Sequence, residues 1–519
     1  MHGTPSQFAR SLAILLALDA VMVLSMTPRL TLGQIDEGRL SAVSREMAQS
    51  GDLVTPRMGE IPFACYPPLP YWLMAASGGA FGWTEFAMRL PGALCGIGLV
   101  GVIAVLTRRF AGDRAGLLAA LALATLPGFV VQEKMCRADV MTMFFATLAF
   151  DRFLAWAESP PEKRRRRDLL LMYLSVSLGV LSKGPIAIAM LGLGGLAWFI
   201  LRKEWRLLGR MGLAWGIPLA AAIILPWYLL VYRAAGPGFL HENLLAENLQ
   251  AFTEGYQQKQ RWHFYLKHAP PILLPWLLAL ALSWKVRRAP GLRLALAWFA
   301  AVFLFVSISA AKRTSYVTYM DPPLAMAAGI TLAAALREAP RALRGWLSAV
   351  AGLLLAAGGI FFFLPASRLT AERAQAVADL VPILAAVTGG AAILLAGVAW
   401  LRGPAPAIGL LAAVAAAGIL LSGHLLEPRW DRERRDVKDF YLRVAATGSK
   451  VAILDTAQMD GAAHFYVGRP LPSLKAGRGY YIVTDEQRRD LLARGRRLSV
   501  LDSVRIADRS DTHFLQVIE

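Results

Sequence analysis

Apolar runs of about 17–25 residues alternate with short polar stretches from Leu12 to Leu421. A run of that length crosses the hydrocarbon core of a bilayer as one helix. The pattern predicts spans over Leu12–Met26, Phe86–Leu106, Ala115–Val131, Val140–Trp156, Leu169–Leu181 and Pro185–Leu201. It continues with Leu213–Val231, Ile272–Leu282, Leu294–Ser307, Tyr316–Leu336, Trp346–Phe363, Val381–Leu401 and Ala405–Leu421. The expectation is a polytopic α-helical membrane protein with about 13 transmembrane helices. The first apolar run is read as an uncleaved span, because no small-x-small cleavage site follows it.

Two polar regions carry their own periodicity. Between the first two spans, in a loop over 27–85, Leu40, Val43 and Met47 recur on one side of a segment from Glu37 to Ser50. That spacing predicts an amphipathic helix suited to the membrane surface, ended by Gly51 and Pro56. A second interfacial helix is predicted from Leu69 to Ala80, after Pro67-Pro68. Beyond Leu421 the composition becomes polar. Glu427 to Lys438 reads as a charged connector. Val451–Leu454, Tyr480–Val483 and Phe514–Ile518 read as short strands, and Thr484-Asp485-Glu486-Gln487 as a capping box opening a helix that ends near Gly495. The chain is thus expected to divide into a membrane domain, 1–424, and a small α/β domain, 425–519.

Charge orients this arrangement. Of 519 residues 56% are hydrophobic, and the net charge is +19, a balance that could suit nucleic acid. The cations, however, gather in alternate short loops: Arg108-Arg109-Arg114, Lys163 with Arg164 to Arg167, Arg202-Lys203-Arg206-Arg210, Lys285-Arg287-Arg288-Arg293, Arg337-Arg341-Arg344 and Arg402. Short loops rich in Lys and Arg stay cytoplasmic. Membrane topology therefore accounts for the charge, and a nucleic-acid partner is not indicated. The N-terminus is expected inside and the C-terminal domain outside, in the periplasm of a bacterial inner membrane. The three cysteines, Cys65, Cys95 and Cys136, show no metal or disulfide spacing. His241, His263 and His268 do not share one helix face, so no metal or other cofactor is called for.

The ionisable residues that the loop rule leaves on the outer side are the candidates for chemistry. Asp36 and Glu37 follow the first span at headgroup depth. Carboxylates at a helix start also cap it. Asp139 opens the fourth span beside Arg137, Lys183 sits in a very short turn between two spans, and Lys312 and Arg313 precede Tyr316. Outer cations at membrane depth call for an anionic partner such as a lipid phosphate. Asp19, inside the first span, is expected to face protein or water.

Several dispersed motifs then carry a resemblance. Asp36-Glu37-Gly38-Arg39, Glu46-Met47, Gly51-Asp52, Pro56-Arg57 and Tyr66-Pro67-Pro68-Leu69-Pro70-Tyr71-Trp72 resemble the first outer loop of the aminoarabinose transferase and protein mannosyltransferase-like superfamily. Phe86 to Pro91, Arg137-Ala138-Asp139-Val140, Leu181 to Pro185, Pro226-Trp227-Tyr228 and Lys312 to Tyr316 are similar to later elements of the same family, over about the first 340 residues. The resemblance implies the C-type membrane glycosyltransferase fold. It implies transfer of a sugar from undecaprenyl phosphate, or another polyprenyl phosphate, to lipid A, another cell-envelope glycolipid or a protein, with inversion. It maps the essential acids onto Asp36 and Asp139. Glu37, Arg39, Tyr66, Arg137, Lys183, Lys312, Arg313 and Tyr316 are then expected to hold the donor phosphate or substrate, and Asp36, Asp139, Lys183 and Tyr316 to converge on one cavity. Two positions depart from the family pattern: Tyr66 and Ala251 stand where Lys and Arg are usual. A lipid transporter is the competing reading, but no internal repeat of the transporter kind is present.

Overall fold

The computed structural model describes residues 5–33, 35–59, 61–255, 259–363, 381–453, 461–472, 478–504 and 512–518. Its helices begin with α1 (Pro5–Met26), α2 (Ile35–Ser50), α3 (Leu69–Phe81), α4 (Glu85–Ala111), α5 (Asp113–Ala124), α6 (Pro127–Glu133), α7 (Ala138–Ala157), α8 (Arg166–Lys183), α9 (Ile186–Arg202) and α10 (Leu213–Ala235). Among the described residues, α1, α4, α7, α10 and the span Pro404–Leu425 are each long and apolar enough to cross a bilayer. Ile14, Leu18 and Val21 of α1 and Ile217, Leu225 and Leu229 of α10 are exposed. Such apolar ridges suit lipid rather than water.

At the centre lies the helix Asp321–Glu338, buried on every side from Leu324 to Ala335. A helix apolar all round belongs in a core. It approaches α5 at Gly329, where a Cβ would meet the Ala119 amide nitrogen at 2.5 Å. Small residues permit such close helix approach in membranes.

Two expected spans are broken. The run Ala115–Val131 divides into α5 and α6, bent by 67°, because Pro127 starts α6 and holds Leu126 extended (φ −79°, ψ 112°). The run Ile272–Leu282 likewise divides, with a helix Phe264–Leu273 set at 98° to a 3₁₀ segment Trp276–Leu282. The helix Phe264–Leu273 brings Tyr265 to the site described below.

The C-terminal unit holds a four-stranded sheet of β3 (Val451–Ile453), β4 (Gly479–Thr484), β5 (Leu498–Val504) and β6 (Thr512–Val517), after a short first-loop hairpin of β1 (Arg57–Met58) and β2 (Ile61–Pro62). The order is β3-β4-β6-β5, parallel only between β3 and β4. The predicted capping box at Thr484 and Gln487 is present. Leu454 lies outside the described residues. β5 was not anticipated, because a register shift between Val500 and Asp502 interrupts its alternation. The expected connector is instead helical over Arg432–Ala446, burying Phe440, Tyr441 and Val444.

That burial corrects the picture of α2. Rather than lying alone on a membrane surface, α2 is enclosed. Leu40, Val43 and Met47 share one core with Phe440, Val444, Phe465 and Phe514 of the C-terminal unit. At the crossing of α2 with the helix Gly461–Val467, a Cβ on Gly461 would sit 2.1 Å from the Arg39 amide nitrogen, and one on Gly38 would sit 2.7 Å from the Ala462 amide nitrogen. Both positions must be glycine for the helices to touch.

Candidate active site

The site grows from three helix ends. Asp139 lies in the first turn of α7 and Lys183 in the last turn of α8. These two helices run antiparallel, so the termini meet, and each charge also suits the dipole of its own helix end. Lys183 Nζ pairs with Asp139 Oδ1, which also accepts from the Tyr319 hydroxyl at 2.7 Å. Tyr319 belongs to the 3₁₀ segment Thr314–Met320 and was not anticipated; its signal was the Tyr-x-x-Tyr spacing from Tyr316, one 3₁₀ turn apart. The Lys183 ammonium stands 5.1 Å from the ring centre of Tyr316 and 5.8 Å from that of Tyr66.

Asp36, in the first turn of α2, faces the same place. Its Oδ2 accepts from Arg137 Nη1 at 3.1 Å and from Arg313 Nη1 at 3.5 Å. Arg137 immediately precedes α7 and acts electrostatically on Asp139 as well, so one guanidinium links the two acids. Tyr66 feels both: burial, then the charges of Asp36 and Asp139, push its phenol well up. The Arg313 carbonyl accepts from the Tyr265 hydroxyl at 3.2 Å, fixing the loop that carries it.

Other expected ligands are placed differently. Glu37 turns away from the cluster and is 1% exposed. Arg89 donates to it twice, at 3.0 Å each, and the Cys136 amide donates at 2.9 Å. Burial alone would raise the Glu37 carboxyl, but the Arg89 charge and these hydrogen bonds hold it below its ordinary value. Arg89 also donates to the carbonyls of Thr27, Leu30 and Thr31. Glu37 therefore pins the loop before α2 and is not available to a ligand. The Lys312 ammonium, 4% exposed, donates to the Ser309 carbonyl. Arg39 lies near the half-buried Cys65 and acts on it electrostatically. Cys65, Cys95 and Cys136 are free thiols.

Beside the cluster opens a cavity of about 360 Å³, lined by Lys183, Tyr316 and Tyr319 and by apolar residues including Ile186, Leu244, Phe252 and Phe305. A cationic and phenolic end continuous with an apolar slot can hold an amphiphile by its headgroup and tail. Sequence reasoning passed over Glu247 and Asn248 on its wall, since neither lies at the end of an apolar run.

Comparison with known proteins agrees with this architecture. The family model described as dolichyl-phosphate-mannose-protein mannosyltransferase matches residues 39–243. An Enterobacter sp. (strain 638) undecaprenyl phosphate-alpha-4-amino-4-deoxy-L-arabinose arabinosyl transferase is 29% identical over 67% of this chain and 64% of its own length. A Pseudomonas paraeruginosa protein of the same description is 30% identical over 60% of this chain and 57% of its own. The chain spans about three fifths of the curated relatives it matches. The crystal structure of ArnT from Cupriavidus metallidurans bound to undecaprenyl phosphate superposes with a TM-score of 0.84 at 23% identity, covering 98% of each chain. Fold and site thus define a polytopic membrane protein of the C-type glycosyltransferase fold. Over these stretches the sequence is similar to the aminoarabinose transferases and to the protein mannosyltransferase family model.

Proposed function

We propose that this protein is a glycosyltransferase that moves a sugar from a polyprenyl-phosphate donor, of the undecaprenyl phosphate kind, to lipid A, another cell-envelope glycolipid or a protein. The observation that carries the reading is the cavity: an apolar slot ending at Tyr316 and at Lys183, which is paired with Asp139. A polyprenyl chain fills the slot and its phosphate meets the cations. The names of the relatives support the donor class.

In the proposed reaction the acceptor oxygen bonds to the anomeric carbon while the bond from that carbon to the phosphate oxygen breaks, with inversion. The polyprenyl phosphate leaves with the electron pair. Arg137, Arg313 and Lys183 offset the charge that develops on it. A phosphate approaching Arg137 and Arg313 competes with Asp36 for their donors, which frees an Asp36 oxygen to orient the acceptor and take its proton. Asp139 positions Lys183 and, through Arg137, couples to Asp36. Tyr316 lies against the ammonium, and Tyr66 fills the position where the family usually has Lys.

The proposal includes the topology. About thirteen spans form the membrane unit, 1–424, with the N-terminus cytoplasmic and the outer unit, 425–519, in the periplasm. The alternating basic loops support this orientation. The test of the site is transfer by the full chain in lipid nanodiscs from a polyprenyl-phosphate sugar. Asp36→Asn is expected to lower turnover by about 10²- to 10⁴-fold, the range for a lost general base, without changing the melting temperature. Unchanged turnover would remove Asp36 from the chemistry.

A further inference from the structure

Glu247 lies in the π-helical turn His241–Gln250 that follows α10, on the cavity wall near Lys183. Tyr316 sets its ring against the Lys183 ammonium, and four further polar side chains of that wall have partners. Lys183 and Tyr319 both bind Asp139, the Asn248 amide donates to the Asn243 carbonyl at 2.6 Å, and the Ser309 hydroxyl donates to the Ala311 carbonyl at 3.0 Å. Glu247, among the described residues, has only the Cys65 thiol, at 4.0 Å from Oε1. It makes no ion pair with them.

The charges around it define what could bind. Burial, then the neighbouring Glu242 carboxylate, push the Glu247 carboxyl up, and Arg313 and Lys183 oppose them. Asp36 and Asp139 each have cationic partners, whereas Glu247 lines the cavity without one. A half-buried carboxylate recovers lost hydration from hydrogen-bond donors, and most strongly from a charged donor. A phosphate held by Lys183 and Arg313 would carry its sugar within reach of this wall.

We infer that Glu247 is a specificity-determining residue of the donor pocket, which accepts a hydrogen bond from a protonated amino group on the transferred sugar. This rests on the transferase reading above and adds to it the residue that selects the sugar. The deciding measurement is donor affinity of the full chain in nanodiscs. Two short-chain polyprenyl phosphates are compared, one carrying an amino sugar and one its hydroxyl counterpart, with wild type, Glu247→Gln and Glu247→Asp. Wild type is expected to prefer the amino donor by about tenfold or more. Glu247→Gln should weaken the amino donor by about 10- to 100-fold and leave the hydroxyl donor within about threefold, while Glu247→Asp keeps part of the preference. Equal wild-type affinity for both donors, an equal loss of both in Glu247→Gln, or failure of the amino donor to bind overturns the inference. Because the ratio is read in binding, a protein that binds with this preference but transfers nothing would count against the transferase reading and not against Glu247.

Discussion

At the first turn of α2 two neighbouring carboxylates diverge: Asp36 faces Arg137 and Arg313, while Glu37 turns inward to Arg89. Removing one partner of a buried ion pair typically costs about 3–5 kcal/mol, because the other charge is left without compensation. Glu37→Gln should therefore lower stability at pH 7 by roughly that amount. Its folded-state carboxyl lies below the ordinary value of 4.5. Its contribution is thus full above that value and is lost as pH falls through the folded one. Melting curves between pH 7 and pH 3.5 should show the gap between wild type and Glu37→Gln closing below about pH 4.5; a gap independent of pH would contradict this. The candidate acids and cations were visible in the sequence as polar residues at the ends of apolar runs. Their pairing was not, because the partner of Glu37 lies 52 residues away and no local pattern encodes it. For the same reason Lys312 drew attention as an outer cation although its ammonium is turned to Ser309.

Among the elements, apolar length was read reliably where a span is continuous, as in α1, α4, α7 and α10. Prolines set the exceptions: Pro127 marks the bend between α5 and α6, inside a run whose apolar length alone suggested one helix. The periodicity of α2 was legible as a buried face, but periodicity does not say whether lipid or protein covers it. Here protein does, through the glycine crossing of α2 and the helix Gly461–Val467. Gly461→Ala puts a methyl group against the Arg39 backbone and should cost about 1–3 kcal/mol, as overpacking does. Because Asp36 opens the same helix, turnover should fall as well. Thermal melting and transfer rate check both, and a wild-type result in the two would show that the crossing can relax.

For the whole molecule, the proposed topology accounts for the net charge of +19 by cations on alternate loops. An enzyme reporter that works only outside the cytoplasm is expected to be active when fused after Glu519 and inactive when placed at Arg165. The reverse pattern would turn the protein over and put its cavity on the wrong face for the proposed donor. The shared core between the first loop and the C-terminal unit means that the two meet on α2, the helix whose first turn carries Asp36. The most direct test of the transferase account is mass spectrometry of lipid A and of total polyprenyl-phosphate glycolipids, comparing cells that carry wild type with cells that carry Asp36→Asn at equal protein level. The account predicts that a sugar disappears from an acceptor while its polyprenyl-linked form accumulates. If neither pool changes, Asp36 is not the catalytic acid, and a lipid transporter becomes the better reading of the same cavity.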